Sequence, residues 1–267
     1  MLIEYQTCHS GGEQMKIKNA IALVTGANRG LGLRFVEALV EFGAAKIYAT
    51  ARKIDTLDPL VRKHEGLVVP LGLDVTEQAQ VDAVAAAARD VTLLLNNAGV
   101  LDGRSLMEAE SLSGFEHEMA VNVYGLARMC RTFAPIIEAN GGGSIANMLS
   151  VACLVHYPPF GTYAATKAAA MSLTASLQFD LRDKGVEVFG IYAGFIDTEM
   201  AGFVARDKAS PDEVARNTMV GIEAGDGNID TTEATKQTRI DLQRNPEGVK
   251  ADVWLSAADF RANHPLT

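Results

Sequence analysis

Residues 21–43, IALVTGANRGLGLRFVEALVEFG, set a short apolar run against a glycine turn and then an amphipathic stretch. This order predicts strand, tight turn and helix. Gly26, Gly30 and Gly32 free the backbone to turn sharply and to approach a pyrophosphate. That group would rest on the unpaired N–H groups and the positive dipole end of the following helix. The spacing is G-x-x-x-G-x-G, not the dinucleotide fingerprint G-x-G-x-x-G, and a purely structural strand-to-helix turn uses glycines as well.

The rest of the chain extends this pattern. Apolar runs IALVT, KIYAT, LVVPL, TLLLN, SIANM and VEVFGIY alternate with helical stretches. Repeated βα units of this kind predict an α/β fold of one doubly wound, Rossmann-like domain, its mainly parallel sheet covered by helices on both faces. Ligands of such sheets bind beyond the carboxyl ends of the strands, where strand order reverses.

Size and charge narrow the functions available. A chain of 267 residues, 48% hydrophobic, is long enough to bury one large core. A net charge of −9 argues against a nucleic-acid surface, and no basic run marks a membrane patch. No eighteen-residue apolar stretch predicts a membrane span. Cys8, Cys130 and Cys153 are odd in number and lack C-x-x-C spacing, so neither a disulfide framework nor a zinc site is indicated, and cytoplasmic chemistry is the default. His9, His64, His117 and His264 are scattered without metal-ligand spacing. Residues 1–14 lack the pattern of a secretory signal and read as a flexible extension, Met15 being an alternative start; residues 15–267 form the domain.

Tyr163 and Lys167 in GTYAATKAAA fall one turn apart on one helix face. A cation beside a phenol stabilises phenolate, making Tyr163 a candidate general acid or base. Further short matches lie in order along the chain: Asp74 after LVVPLGL, Asn96, Asn97, Ala98 and Gly99 in LLLNNAG, Asn122 in VNVYG, and Ser150 closing SIANMLS. Together with the glycine turn these resemble the short-chain dehydrogenase/reductase family over roughly three quarters of the chain.

The resemblance implies a nicotinamide dinucleotide. Gly26, Asn28, Arg29, Gly30, Leu31 and Gly32 would surround its pyrophosphate, Asp74 and Val75 its adenine, and Asn97, Ala98 and Gly99 its path. Ile196 and Thr198 would meet its carboxamide and phosphate, although the family's Pro-Gly before them is Ala193-Gly194 here. An acid at the end of the second strand would bind ribose hydroxyls and repel a phosphate. KIYATARK offers none there; Arg52 follows instead, with Arg29 in the glycine turn, and guanidinium forks suit phosphate. NADP(H) is therefore expected over NAD(H).

By the same resemblance Tyr163 donates a proton to a developing alkoxide and Ser150 bonds the substrate oxygen. Lys167 lowers the tyrosine pKa and binds the nicotinamide ribose, and Asn122 holds a water linking Lys167 to solvent. The reaction interconverts a carbonyl compound and an alcohol. Val151, Cys153, Leu154, His156, Tyr157, Phe160, Phe195, Met200 and Phe203 are expected in an apolar pocket wall, with Cys153 and His156 as packing and wall residues, and no metal. Residues 198–211 would form a lid. The alanine-rich helix after Tyr163 would meet a second copy in a homodimer or homotetramer. From Gly227 onward the family's glycine-rich closing strand is missing. A serine hydrolase is disfavoured, since Ser144 and Ser150 lack a G-x-S-x-G frame; a dinucleotide-binding regulatory or scaffold protein is the alternative.

Overall fold

The computed structural model describes residues 16–102, 105–107, 109–204 and 207–263. The extension expected over residues 1–14 lies outside them. The chain alternates strands and helices as the apolar runs require: β1 (Ile21–Val24), α1 (Gly30–Glu41), β2 (Lys46–Ala51), α2 (Asp58–Lys63), β3 (Val68–Gly72), α3 (Gln78–Ala87) and β4 (Leu93–Asn96). Then come α4 (Ser113–Met119), a π-helical segment at Ala120–Gly125, α5 (Leu126–Ala139), β5 (Gly143–Met148), the short α6 (Ala152–Val155), α7 (Gly161–Leu181) and β6 (Val186–Tyr192). The chain closes with α8 (Pro211–Ala224), β7 (Asn228–Asp230), α9 (Glu233–Arg244) and α10 (Pro246–Asn263).

All seven strands are parallel, in the order β3-β2-β1-β4-β5-β6-β7. Order reverses between β1 and β4, so the crevice for a ligand opens above their carboxyl ends. Pro70 lies inside β3, which a proline tolerates because β3 is the sheet edge. One apolar cluster joins α1, α2 and α8 to the sheet around Phe35, Leu39, Ile47 and Met219; the other joins α3, α5 and α7 around Leu94, Met129, Phe133 and Ile145. Burial on both faces explains why the strands read as continuous apolar runs instead of alternating ones.

A seventh strand does form where the sequence offered no closing strand. Its three residues contain a single apolar side chain, Ile229, and β6 supplies the pairing through Gly190, Ile191 and Tyr192. So short a strand carries no periodicity to read.

Candidate active site

The crevice at the switch point deepens into a cavity of about 1150 Å³. Its floor is the glycine turn. Gly26 and Gly30 adopt φ of +66° and +53°, which side chains other than glycine rarely take. Gly32 is required for another reason: a Cβ there would stand 2.0 Å from the Gly26 carbonyl oxygen and 2.6 Å from Asn97 Nδ2. The turn is stitched to β4 across the reversal of strand order. Thr25 Oγ1 accepts from the Asn97 and Ala98 amides at 2.9 Å each, and Asn97 Nδ2 donates to the Thr25 and Gly26 carbonyls at 2.9 and 3.1 Å. Asn97 therefore braces the turn with its side chain. Asn28, Arg29, Leu31, Arg52, Asp74, Val75, Ala98, Gly99, Ile196 and Thr198 also line the cavity.

Arg52 directly follows β2 and is exposed at the cavity edge. Arg29 is engaged elsewhere than expected: its guanidinium pairs with Glu199, from the 3-10 turn Glu199–Ala201 after β6. The two side chains are 69% and 77% exposed, and a pair so solvated contributes at most about 1 kcal/mol. Burial opposes ionisation of Asp74, yet bonds from the Thr76 amide and hydroxyl, at 2.9 and 2.7 Å, hold its carboxyl below the ordinary range. Arg52 and His117 act in the same direction.

At the other end, Ser150 follows β5 and Tyr163 and Lys167 stand one turn apart on α7, all three facing the cavity. The Tyr163 hydroxyl is hydrogen-bonded to Ser150. Lys167 Nζ donates to the Met148 carbonyl at 2.8 Å and lies 5.6 Å from the Tyr163 ring centre. The phenol's pKa nevertheless rises, because burial dominates. Burial pushes the Tyr163 pKa well above its usual value, the Ser150 bond pulls the other way, and Cys153 and Glu118 add to the rise. Burial also brings Lys167 down to about 8. The pair is held as neutral phenol beside an ammonium that releases its proton readily.

Asn122 lies in the π-helical segment behind the pair and does not line the cavity. Its Nδ2 donates to the Val100 carbonyl at 2.9 Å and to Thr166 Oγ1 at 3.1 Å, while Oδ1 accepts from the Val100 amide at 2.9 Å. These bonds spend both amide protons, so the side chain pins residue 100 to α7. A Cβ on Gly99 would come within 3.3 Å of Asn122 Oδ1 and 3.6 Å of Lys167 Nζ, so the path beside them stays open through glycine.

The family profile described as "short chain dehydrogenase" matches residues 20–209, well over half of the chain. The chain belongs to the short-chain dehydrogenase family. It is 32% identical over 212 residues to gluconate 5-dehydrogenase of Gluconobacter oxydans (strain 621H), covering 77% of this chain and 82% of that one. A short-chain dehydrogenase from Burkholderia cenocepacia J2315, solved with NADP, superimposes with a TM-score of 0.85 at 34% identity, over 90% of this chain and 99% of that one. One from Burkholderia phymatum, solved with NAD, gives 0.75 at 29% identity, over 85% and 95%.

In this short-chain dehydrogenase the expected pocket wall is only partly in place. Val151, Tyr157, Phe160, Phe195, Met200 and Phe203 line the cavity. Cys153 does not: it is 1% exposed, turned into the core, and its Sγ donates to the Ser150 carbonyl at 2.6 Å. Leu154 packs against the same core. His156 ends α6 at a φ of +53° and faces solvent. The brief α6 turn, absent from the sequence reading, redirects all three. Of the expected lid, Glu199–Ala201 is a 3-10 turn and Asp197 and Ala209 close the loop by backbone bonds; residues 205 and 206 lie outside the described set.

Sequence reasoning missed the opposite wall altogether. Thr238 and Asp241 of α9 and Val249, Asp252, Val253 and Ser256 of α10 line the cavity, as do the hydrogen-bonded Asp102 and His117. A signal was present, for 249, 253, 256 and 260 recur at the 4-3-4 spacing of one helix face. Among the described residues no group of His, Cys, Asp and Glu is placed to hold a metal, and no helix is long and apolar enough to cross a membrane.

Proposed function

We propose that this chain is an NADP(H)-dependent oxidoreductase that interconverts a carbonyl compound and an alcohol, with apolar substrates favoured. One observation carries the reading. Ser150, Tyr163 and Lys167 meet at one end of a single cavity whose other end is a glycine turn flanked by Arg52.

The residues fit a dinucleotide. Gly32 leaves a cradle that a Cβ would fill, and the first amides of α1 point to where a pyrophosphate would lie. Asp74 and Val75 would hold the adenine, Asn97 to Gly99 the path, and Ile196, Thr198 and Lys167 the nicotinamide end. Arg52 would meet a ribose phosphate at the end of β2, where the strand itself offers no acid, the first one after it being Asp55. Arg29 joins it by leaving Glu199; charge-assisted bonds to phosphate, about 1.5–3 kcal/mol each, outweigh so exposed a pair. NADP in the Burkholderia cenocepacia relative agrees with this, while NAD in the Burkholderia phymatum relative leaves the preference resting on Arg52.

When bound, the dinucleotide supplies or accepts hydride at the substrate carbon. Ser150 Oγ would bond the substrate oxygen and hold it beside the phenol. Tyr163, kept protonated by burial, gives up the Oη proton as negative charge develops on that oxygen. The Lys167 ammonium stabilises the phenolate left behind, and Asn122 keeps α7 in register with residue 100. The reverse sequence oxidises an alcohol.

The outer face of α7, with Leu173 36% and Phe179 63% exposed, is where we place a second subunit in a dimer or tetramer. Cys130 and Cys153 are buried, which raises their thiols to about 12 and about 11 and leaves them inert. Titration with NADPH and with NADH, followed by reduced-nicotinamide fluorescence, tests the proposal before ketones and aldehydes are added. Tighter NADPH binding with oxidation by an apolar carbonyl compound is expected; no binding, or binding without turnover across the panel, would overturn it.

A further inference from the structure

We infer that α10 is the substrate-selecting wall of the cavity and that Phe260 is the positioning residue that holds it there. The substrate it selects is a neutral ketone or secondary alcohol bearing an aryl or branched alkyl group. The inference rests on the carbonyl chemistry proposed above and deepens it.

Val249 and Val253 present the apolar stripe of α10 to the cavity. Phe260, two turns beyond Val253 on the same stripe, is not itself in the lining. Its ring instead lies 5.4 Å from Phe160, 6.2 Å from Phe203 and 6.4 Å from Tyr157, between centroids. Phe160 and Phe203 touch in turn at 5.2 Å, and Tyr157 and Phe160 at 5.8 Å. The Tyr157 hydroxyl donates to the Ser256 carbonyl at 3.5 Å, a second tie to α10. Phe160 precedes Tyr163 by three residues, and Phe203 belongs to the loop after β6. Phe260 thus joins three elements: the last helix, the start of the catalytic helix and the post-β6 loop. Offset and edge-on ring pairs of this kind add about 0.5–1.5 kcal/mol each beyond their burial.

Tyr157, Phe160, Phe195 and Phe203 line the same cavity as Tyr163, an aromatic wall that fits a flat or branched hydrocarbon group. Charge completes the selection. The charged side chains that α9 and α10 give the cavity are Asp241 and Asp252, with no basic one among the described residues. A substrate carboxylate would meet two like charges on that side and find no counter-ion there.

The test compares acetophenone, acetone and 2-oxobutanoate as substrates of the NADPH complex in wild type, Phe260→Ala and Phe260→Leu. Wild type should prefer acetophenone to 2-oxobutanoate. Phe260→Ala should raise the acetophenone KM by on the order of 10-fold or more, with acetone kcat/KM changed by less than about 3-fold and NADPH affinity intact. Phe260→Leu should recover most of the loss. Calorimetric binding of 1-phenylethanol, with and without NADP, reads the wall independently of turnover. Binding that weakens in Phe260→Ala while wild type turns over no ketone would uphold the wall and refute the carbonyl chemistry. Equal losses on acetophenone and acetone, unchanged acetophenone kinetics, preference for 2-oxobutanoate, or no 1-phenylethanol binding by wild type would each overturn the inference.

Discussion

The two walls of the cavity are built by different means. On one side, residues 20–209 supply backbone: glycines that must be glycines, a threonine bonding two amides, an asparagine tying residue 100 to α7. On the other, α9 and α10 add residues to the lining, and α10 is held by rings packed against rings and by the Tyr157 hydroxyl on the Ser256 carbonyl. The first kind of wall has little latitude, since a Cβ at Gly32 would overlap a carbonyl oxygen. The second tolerates exchange, because an apolar contact is non-directional and another side chain of similar volume can replace it. Chemistry common to many substrates belongs on the rigid side, and discrimination among them on the adaptable one. The family profile ends at residue 209, before α9 and α10 begin.

The largest effect that would sharpen this contrast is expected at Tyr163. Replacing it with Phe removes the hydroxyl proposed to donate the proton and leaves ring and helix in place. Turnover should fall by about 10²- to 10⁴-fold on every substrate, with NADPH affinity changed by less than about 2-fold. A uniform loss of this kind is the opposite of the selective loss expected from the α10 side. Steady-state rates beside fluorescence titration measure both, and activity near wild type would mean that the proton comes from another group.

An intermediate effect is expected at Arg52. Arg52→Asp should raise the KM for NADPH by about 10-fold or more, the worth of one charge-assisted bond, while NADH changes little. Equal losses with both cofactors would make Arg52 a structural residue and remove the ground for NADP preference.

What was legible in the sequence follows the same division. The glycine turn, the six long strands and the Ser150, Tyr163 and Lys167 set were readable because backbone demands restrict residue type at fixed spacing. Side-chain packing leaves a weaker trace. Val249, Val253, Ser256 and Phe260 are ordinary residues whose helical stripe has meaning only once α10 is seen to cross the cavity. Cys153 and His156 were misplaced because one four-residue turn, α6, rotates its side chains between core and solvent. Glu199 could not have been paired with Arg29 from 170 residues away. The phenol's environment was misjudged for an electrostatic reason: spacing gives the neighbouring cation but not the burial that outweighs it.

The smallest effect is a pH dependence, and it separates Lys167 as a reacting group from Lys167 as a packing group. Burial lowers its pKa from 10.5 to about 8. The kcat/KM for NADPH reports ionisations of the free enzyme, so it should hold below about pH 8 and decline above it as the ammonium loses its proton. Stability runs the other way. Between about 8 and 10.5 the unfolded chain carries the Lys167 proton and the folded chain does not, so this group makes folding more favourable as pH rises through that window. A decline in kcat/KM there, with thermal stability unchanged or rising, therefore reports loss of the charge and not loss of fold. Lys167→Arg keeps a charge that does not titrate in this range, and should abolish the decline even where its absolute rate is lower. Coincident profiles for the two proteins would assign the ionisation elsewhere in the cavity, leaving Lys167 as a brace for the Met148 carbonyl.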